Sequence, residues 1–163
     1  MPPILSIVGK SGSGKTTLIE KLLREFNARG LRVAVIKHHA HSSPLDSSGK
    51  DSFRFAEAGA QMVVVSSPVE IAQFERVARE WTLAEIAARV DDADLILTEG
   101  FRREPAPKIE ISRAELGTDL IARADQVVAV VTDYPVSANV PRFELDDAAG
   151  LAAFICERFV VDA

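Results

Sequence analysis

The run Gly9-Lys10-Ser11-Gly12-Ser13-Gly14-Lys15-Thr16 fits G-x-x-x-x-G-K-[ST] at every fixed position. It constrains the fold because such a loop works only between a buried strand and the first turn of a helix. Both neighbours are legible. Residues 4–8 are a short apolar run, as a strand buried on both faces requires. Leu18, Ile19, Leu22, Leu23 and Phe26 recur at helical spacing over residues 16–29, and Gly30 supplies a stop. The valine-rich residues 31–36 read as a second buried strand. Strand, loop, helix and strand thus fall within the first 36 residues, which is the βαβ unit of a parallel sheet.

The loop's residue types follow from its chemistry. Glycines let the backbone double back so that several N–H groups converge on one anion. A helix beginning near Lys15 adds the positive end of its dipole. Lys15 can reach β- and γ-phosphate oxygens, and the Thr16 hydroxyl can ligate Mg²⁺. Lys10 stands five residues before Lys15. It reads as a solvated lysine; the alternative is a second lysine of the kind that reaches across a dimer in one subclass of phosphate-loop ATPases.

Beyond residue 36 the pattern continues. Residues 38–48 are polar and aperiodic, a loop of the kind that carries function. Residues 51–59 form a short helix, 61–66 a strand, and 69–74 a strand pairing beside it after the turn at Ser66-Ser67-Pro68. Residues 82–89 are helical, with Thr82 and Glu85 in capping-box spacing. Strands follow at 94–98, 108–111 and 126–132, and a closing helix at 146–159. Alternating strands and helices predict an α/β fold, a mainly parallel sheet flanked by helices on both faces. With 163 residues and no internal boundary, the chain reads as a single nucleotide-binding domain over 1–163.

A net charge of −5 argues against a general affinity for nucleic acid or anionic membrane. No apolar stretch reaches the roughly 20 residues that span a bilayer, and no basic leader precedes residue 4. The single cysteine, Cys156, sits in an apolar run and reads as a small buried hydrophobe in a reducing cytoplasm. A cytoplasmic location is expected.

A second acidic site is expected at Glu99, at the carboxyl end of Asp94-Leu-Ile-Leu-Thr-Glu99. Ligands of open α/β sheets bind beyond that end of the strands, so Glu99 can hold Mg²⁺ beside the phosphate loop. The alternative is a carboxylate that caps the next turn. Asp94, at the far end, reads as structural. His38, His39 and His41 precede Asp46, but no cysteine or second ligand cluster supports a zinc site. They read as contacts to an anion or a partner. Asp46 either contacts Mg²⁺ and orients water, a catalytic role, or is an exposed turn aspartate. Asp51 or Ser52 is expected to cap the following helix. Lys50 and Arg54 either bind an anionic ligand or form a solvated face.

The phosphate loop, Ile36-Lys37-His38-His39, Gly49-Lys50-Asp51-Ser52 with Arg54, Glu57-Ala58-Gly59-Ala60, and Thr98-Glu99-Gly100-Phe101 together resemble the molybdopterin-guanine dinucleotide biosynthesis protein B (MobB) family of phosphate-loop nucleotide triphosphate hydrolase fold. These segments span about residues 4 to 111. The resemblance implies a homodimeric GTP-binding protein with weak, Mg²⁺-dependent hydrolysis, assisting the partner enzyme that attaches GMP to molybdopterin. GTP and Mg²⁺ are the implied cofactors, and molybdopterin or its guanine dinucleotide a further partner. On matching positions it assigns the phosphates to Gly12, Gly14, Lys15, Thr16 and Thr17 and the metal side to Glu99; the loop's own chemistry adds Gly9, Ser11 and Ser13 to the phosphate site and Thr16 to the metal. It also points to Thr132-Asp133 for guanine. There the chemistry agrees, because a carboxylate can accept from guanine N1–H and N2 together and adenine offers no such pair.

Two other functions fit parts of the pattern. A phosphate-loop small-molecule kinase usually carries a lid with several arginines; the only comparable stretch, from Arg102 to Lys108, is broken by two prolines. A metal-insertion GTPase would use the histidine loop to hold its cargo.

Overall fold

The chain runs β1 (Ile4–Val8), α1 (Lys15–Ala28), β2 (Val33–Lys37), α2 (Asp51–Glu57), β3 (Met62–Ser66), β4 (Ile71–Glu75), α3 (Leu83–Ala87), β5 (Leu95–Glu99), β6 (Lys108–Ser112), β7 (Val127–Thr132), β8 (Arg142–Phe143) and α4 (Ala148–Phe159), with a 3-10 turn at Ala114–Leu116. The computed structural model describes residues 1–39 and 45–160. By contacts these fall into two compact units: residues 39–81 form one, and the remainder the other.

The larger unit holds a six-stranded sheet in the order β2-β5-β1-β6-β7-β8, every pairing parallel. The chain builds outward from β1 first to one side and then to the other, so β1 is the switch point whose carboxyl end opens a crevice. Successive strand residues point to opposite faces. Leu5, Ile7, Leu95, Leu97, Ile109, Ile111, Ala129 and Val131 therefore share one face, packed with Leu18, Ile19, Leu22 and Phe26 of α1 and Leu151, Ala152 and Ile155 of α4. Burial of each large side chain here is worth about 1.5–3 kcal/mol.

α1 ends as its glycine predicts. Gly30 takes a left-handed φ of 76°, and the Leu31 and Gly30 amides donate to the Phe26 and Asn27 carbonyls, a Schellman stop. Leu31 then folds back onto the core. α4 starts at Asp147, whose carboxylate accepts from the Gly150 amide at 2.9 Å. The capping box of Thr82 and Glu85 forms as read, with reciprocal bonds of 3.3 and 2.9 Å.

The opposite face of the sheet is polar at its centre. Lys108, Glu110 and Ser112 alternate along β6, all buried. Each fastens a loop. Lys108 Nζ donates to the Glu104 and Ala106 carbonyls, Glu110 accepts from the Ile121 and Ala122 amides at 2.6 and 2.9 Å, and Ser112 shares a 2.7 Å bond with the Tyr134 hydroxyl. Burial lowers the Lys108 ammonium below the ordinary lysine value, opposed by the charge of Glu104. Hydrogen bonds offset the desolvation cost of these buried polar groups, so the ladder fastens loops to this face of the sheet.

Two expectations need correcting. The strand read over 31–36 is not buried on both faces: β2 is an edge strand, and Val35 is 43% exposed. Val33 still packs against the core, and Ala34 and Ile36 on the other face are partly buried. The strands read over 61–66 and 69–74 do pair, but as the antiparallel hairpin β3-β4, a two-stranded sheet of its own in the smaller unit. The two-residue β8 went unread, being too short to show a period. Cys156 is half-buried against the core, and Asp94 is structural, binding the Arg32 amide at 2.8 Å and its guanidinium at 3.0 Å.

Candidate functional site

The phosphate loop leaves β1 and enters α1 through three glycines. A Cβ on Gly9 would stand 2.3 Å from the Ile111 carbonyl oxygen and 2.6 Å from Ser13 Oγ, so only glycine fits against β6 there. Gly12 and Gly14 adopt left-handed φ values of 77° and 96°. Gly14 is the N-cap of α1, with no side-chain cap and no acidic residue in the first turn. The first N–H groups of the helix are therefore left without a side-chain acceptor, and the dipole end is unopposed. Ser13 Oγ is buried with no hydrogen-bond partner in the same loop. An anion would satisfy these donors together.

Lys15 lies along the loop, its Nζ donating to the Gly9 and Lys10 carbonyls at 3.0 and 2.9 Å. Thr16 Oγ1 donates to Glu99 Oε2 at 3.0 Å, and Glu99 Oε1 lies 3.4 Å from Lys37 Nζ. The second acidic site and the phosphate loop thus meet, because β1 and β5 pair with Ile7 opposite Glu99. After Glu99 the chain turns sharply. Gly100 and Phe101 both have positive φ, 94° and 53°, and the Phe101 ring is buried against His38 at 4.9 Å between centroids. A left-handed phenylalanine costs about 1–2 kcal/mol, which its packing offsets. Thr16 and Glu99 offer paired oxygen donors, the type that suits Mg²⁺. A cavity of about 430 Å³ opens at this point, lined by Val8, Gly9, Lys10, Ser11, Lys15, Gly100, Arg102 and Ile121.

Lys10 is not the solvated lysine expected. Its Nζ donates to the Leu116 carbonyl at 2.8 Å and to that of Gly117 at 3.3 Å. Arg113, which nothing in the sequence singles out, donates from Nε to the Ser13 carbonyl at 3.1 Å. Thr132 is buried at the end of β7, and its hydroxyl accepts from the Tyr134 amide at 3.3 Å. Asp133 is exposed, with Oδ1 accepting from the Ala114 amide at 2.9 Å.

Asp46, Lys50 and Arg54 lie in the smaller unit. Asp46 accepts from the Ser47 amide at 2.8 Å and the Ser52 hydroxyl at 2.6 Å. Neither Asp51 nor Ser52 caps α2: Lys50 is its N-cap without a side-chain bond, Ser52 is committed to Asp46, and Asp51 pairs with Arg54 at 3.3 Å. Of the histidines, His41 lies outside the described residues. Among the described residues no cluster of three His, Cys, Asp or Glu side chains is arranged to hold a metal ion, and no helix is long and apolar enough to cross a membrane.

The family model described as "Molybdopterin guanine dinucleotide synthesis protein B" matches residues 4–133. The chain is similar to the molybdopterin-guanine dinucleotide biosynthesis adapter protein of Haemophilus influenzae, 40% identical over 155 residues that cover 94% of this chain and 87% of the relative. To the adapter protein of Escherichia coli it is 37% identical over 163 residues, covering 96% and 93%. Among solved structures, Bacillus subtilis MobB superposes with a TM-score of 0.80 at 28% identity, covering 98% of this chain and 99% of that one. A crystal structure of molybdopterin-guanine biosynthesis protein B gives 0.73 at 34% identity, covering 94% and 98%.

Proposed function

The chain belongs to the molybdopterin guanine dinucleotide synthesis protein B family, and on that premise we propose that it is a GTP-binding adapter in the biosynthesis of molybdopterin guanine dinucleotide. In this reading it works as a homodimer, assists the enzyme that attaches GMP to molybdopterin, and hydrolyses GTP to GDP and phosphate slowly at most.

The observation that carries the reading is the 3.0 Å bond between Thr16 Oγ1 and Glu99 Oε2, which joins the phosphate loop to the acidic end of the adjacent strand. The backbone N–H groups from Gly12 to Thr17 bind phosphate oxygens, helped by the uncapped start of α1. Lys15 exchanges its loop carbonyls for the β- and γ-phosphate oxygens. Thr16 and Glu99 hold Mg²⁺, which when bound neutralises charge on the phosphates. The Asp133 carboxylate accepts from guanine N1–H and N2, with Thr132 beside it. Slow hydrolysis fits Asp46, whose two oxygens are already engaged by Ser47 and Ser52. Holding GTP for a partner needs no general base; fast turnover does.

Calorimetric titration of GTP and of ATP with Mg²⁺ tests this, with Lys15→Ala as the control. An ammonium about 4 Å from a phosphate charge is worth about 4 kcal/mol at an effective dielectric constant of 20. The variant should therefore lose about a thousandfold in GTP affinity. Undiminished affinity would remove the phosphate loop from the site. Addition of the chain to the GMP-transferring enzyme should raise its output with wild type and not with Lys15→Ala.

A further inference from the structure

The phosphate loop is tied to the turn after β6 by two cations, Arg113 from outside the loop and Lys10 from within it. Arg113 follows β6 directly, and its Nε donates to the Ser13 carbonyl at 3.1 Å. One terminal nitrogen lies 3.5 Å from the position that a Cβ on Gly14 would take. In the other direction, Lys10 reaches out of the loop to the Leu116 and Gly117 carbonyls at 2.8 and 3.3 Å. The loop and the turn at 113–117 are thus joined by charge-assisted bonds running both ways.

The turn is anchored in its own right. The Leu116 and Gly117 amides close on the Arg113 and Ala114 carbonyls at 3.0 Å each, and Asp133 accepts from the Ala114 amide at 2.9 Å. Gly117 has a φ of 88°, and a Cβ there would come within 3.1 Å of Lys10 Nζ. The fixed turn gives the two cations a rigid footing.

The consequence lies in one peptide group. The Ser13 carbonyl and the Gly14 N–H belong to the same amide, so a cation on the oxygen strengthens the N–H as a donor, by about 10–30% in condensed-phase estimates. That N–H stands at the uncapped start of α1, where an anion would sit. Fixing the loop during folding also spares the ordering cost at binding.

We propose that Arg113, seconded by Lys10, is a positioning residue of the phosphate loop. It orients and polarises the Ser13–Gly14 peptide toward a triphosphate and touches neither base nor sugar. This rests on reading the loop as a triphosphate site.

The test uses the full chain and three probes with Mg²⁺: GTP, ATP and inorganic tripolyphosphate, titrated by calorimetry into wild type, Arg113→Ala, Arg113→Lys and Lys10→Ala. Arg113→Ala should weaken all three by the same factor, about tenfold, the scale of one charge-assisted hydrogen bond. Arg113→Lys should recover most of it, and Lys10→Ala should lose less than Arg113→Ala. The double alanine variant should lose less than the product of the single losses, because both act through one turn. A loss confined to GTP and ATP, with tripolyphosphate unchanged, would move Arg113 to the sugar or base and overturn the proposal. Equal affinities in all variants would overturn it too. Wild type that binds none of the probes would sink the triphosphate reading itself, and the proposal with it. If unfolding scans show that Arg113→Ala does not fold, Arg113→Lys and Lys10→Ala carry the same comparison.

Discussion

Gly9→Ala is the smallest change that asks whether the loop is packed as tightly as its geometry indicates. The new Cβ would lie 2.3 Å from the Ile111 carbonyl oxygen, 2.6 Å from Ser13 Oγ and 3.1 Å from Ile111 Cγ2. Ser13 can rotate, but the Ile111 carbonyl belongs to β6, which is paired on both sides by β1 and β7. Carbon and oxygen pack at about 3.3 Å, so either the loop or the strand must yield by about 1 Å. Overpacking of this size costs about 3 kcal/mol, the upper part of the usual range. For a chain of this length each kcal/mol lowers the unfolding midpoint by about 2–4 °C, so a fall of about 6–12 °C is expected in a thermal scan. Gly12→Ala is the contrast. Nothing lies within 4 Å of its Cβ, and only the left-handed φ of 77° is disfavoured, at about 1–2 kcal/mol. Equal midpoints for wild type and Gly9→Ala, or a larger fall for Gly12→Ala, would refute the steric argument.

Asp133→Asn should weaken GTP relative to ATP, since an amide presents a donor where guanine also presents donors; an unchanged GTP/ATP ratio in calorimetry would take Asp133 out of base recognition. Asp94→Asn should destabilise the fold in a pH-dependent way. Hydrogen bonds from the Arg32 guanidinium and amide hold the Asp94 carboxyl below the ordinary aspartate range. Its contribution is therefore full above about pH 4 and is lost as pH falls through the lower folded-state value. Denaturant midpoints of the two proteins should converge in acid, and a constant gap down to pH 2 would contradict the pairing.

Particular residues show where sequence reading reached and where it stopped. Thr16 and Glu99 were legible as partners because Thr16 belongs to the loop-and-helix start that follows β1 and Glu99 ends β5, and parallel strands of one sheet deliver their carboxyl ends to one edge. Arg113 was not, because it is one of many charged residues at the end of a strand, and its acceptor lies 100 positions away. Lys10 was read as solvated for the same reason: a lysine bonded to distant carbonyls looks in sequence like any other lysine. The hairpin β3-β4 was legible as two strands, but its separation from the main sheet was not, since apolar runs do not state what they pair with.

The phosphate loop, the α/β class and the main strands and helices were determined by sequence alone. Their causes are local: donors within one short loop, periods of two or 3.6 residues, a glycine at a helix end. Tertiary structure alone decided that β6 carries a buried polar ladder, that loops fasten to it, and that two cations from opposite sides bind loop and turn. Those depend on long-range pairing, which brings Lys10 to Leu116 and Arg113 to Ser13 across about a hundred residues. The loop's capacity for phosphate is written in its glycines; how firmly it is held depends on contacts that exist only once the sheet has formed.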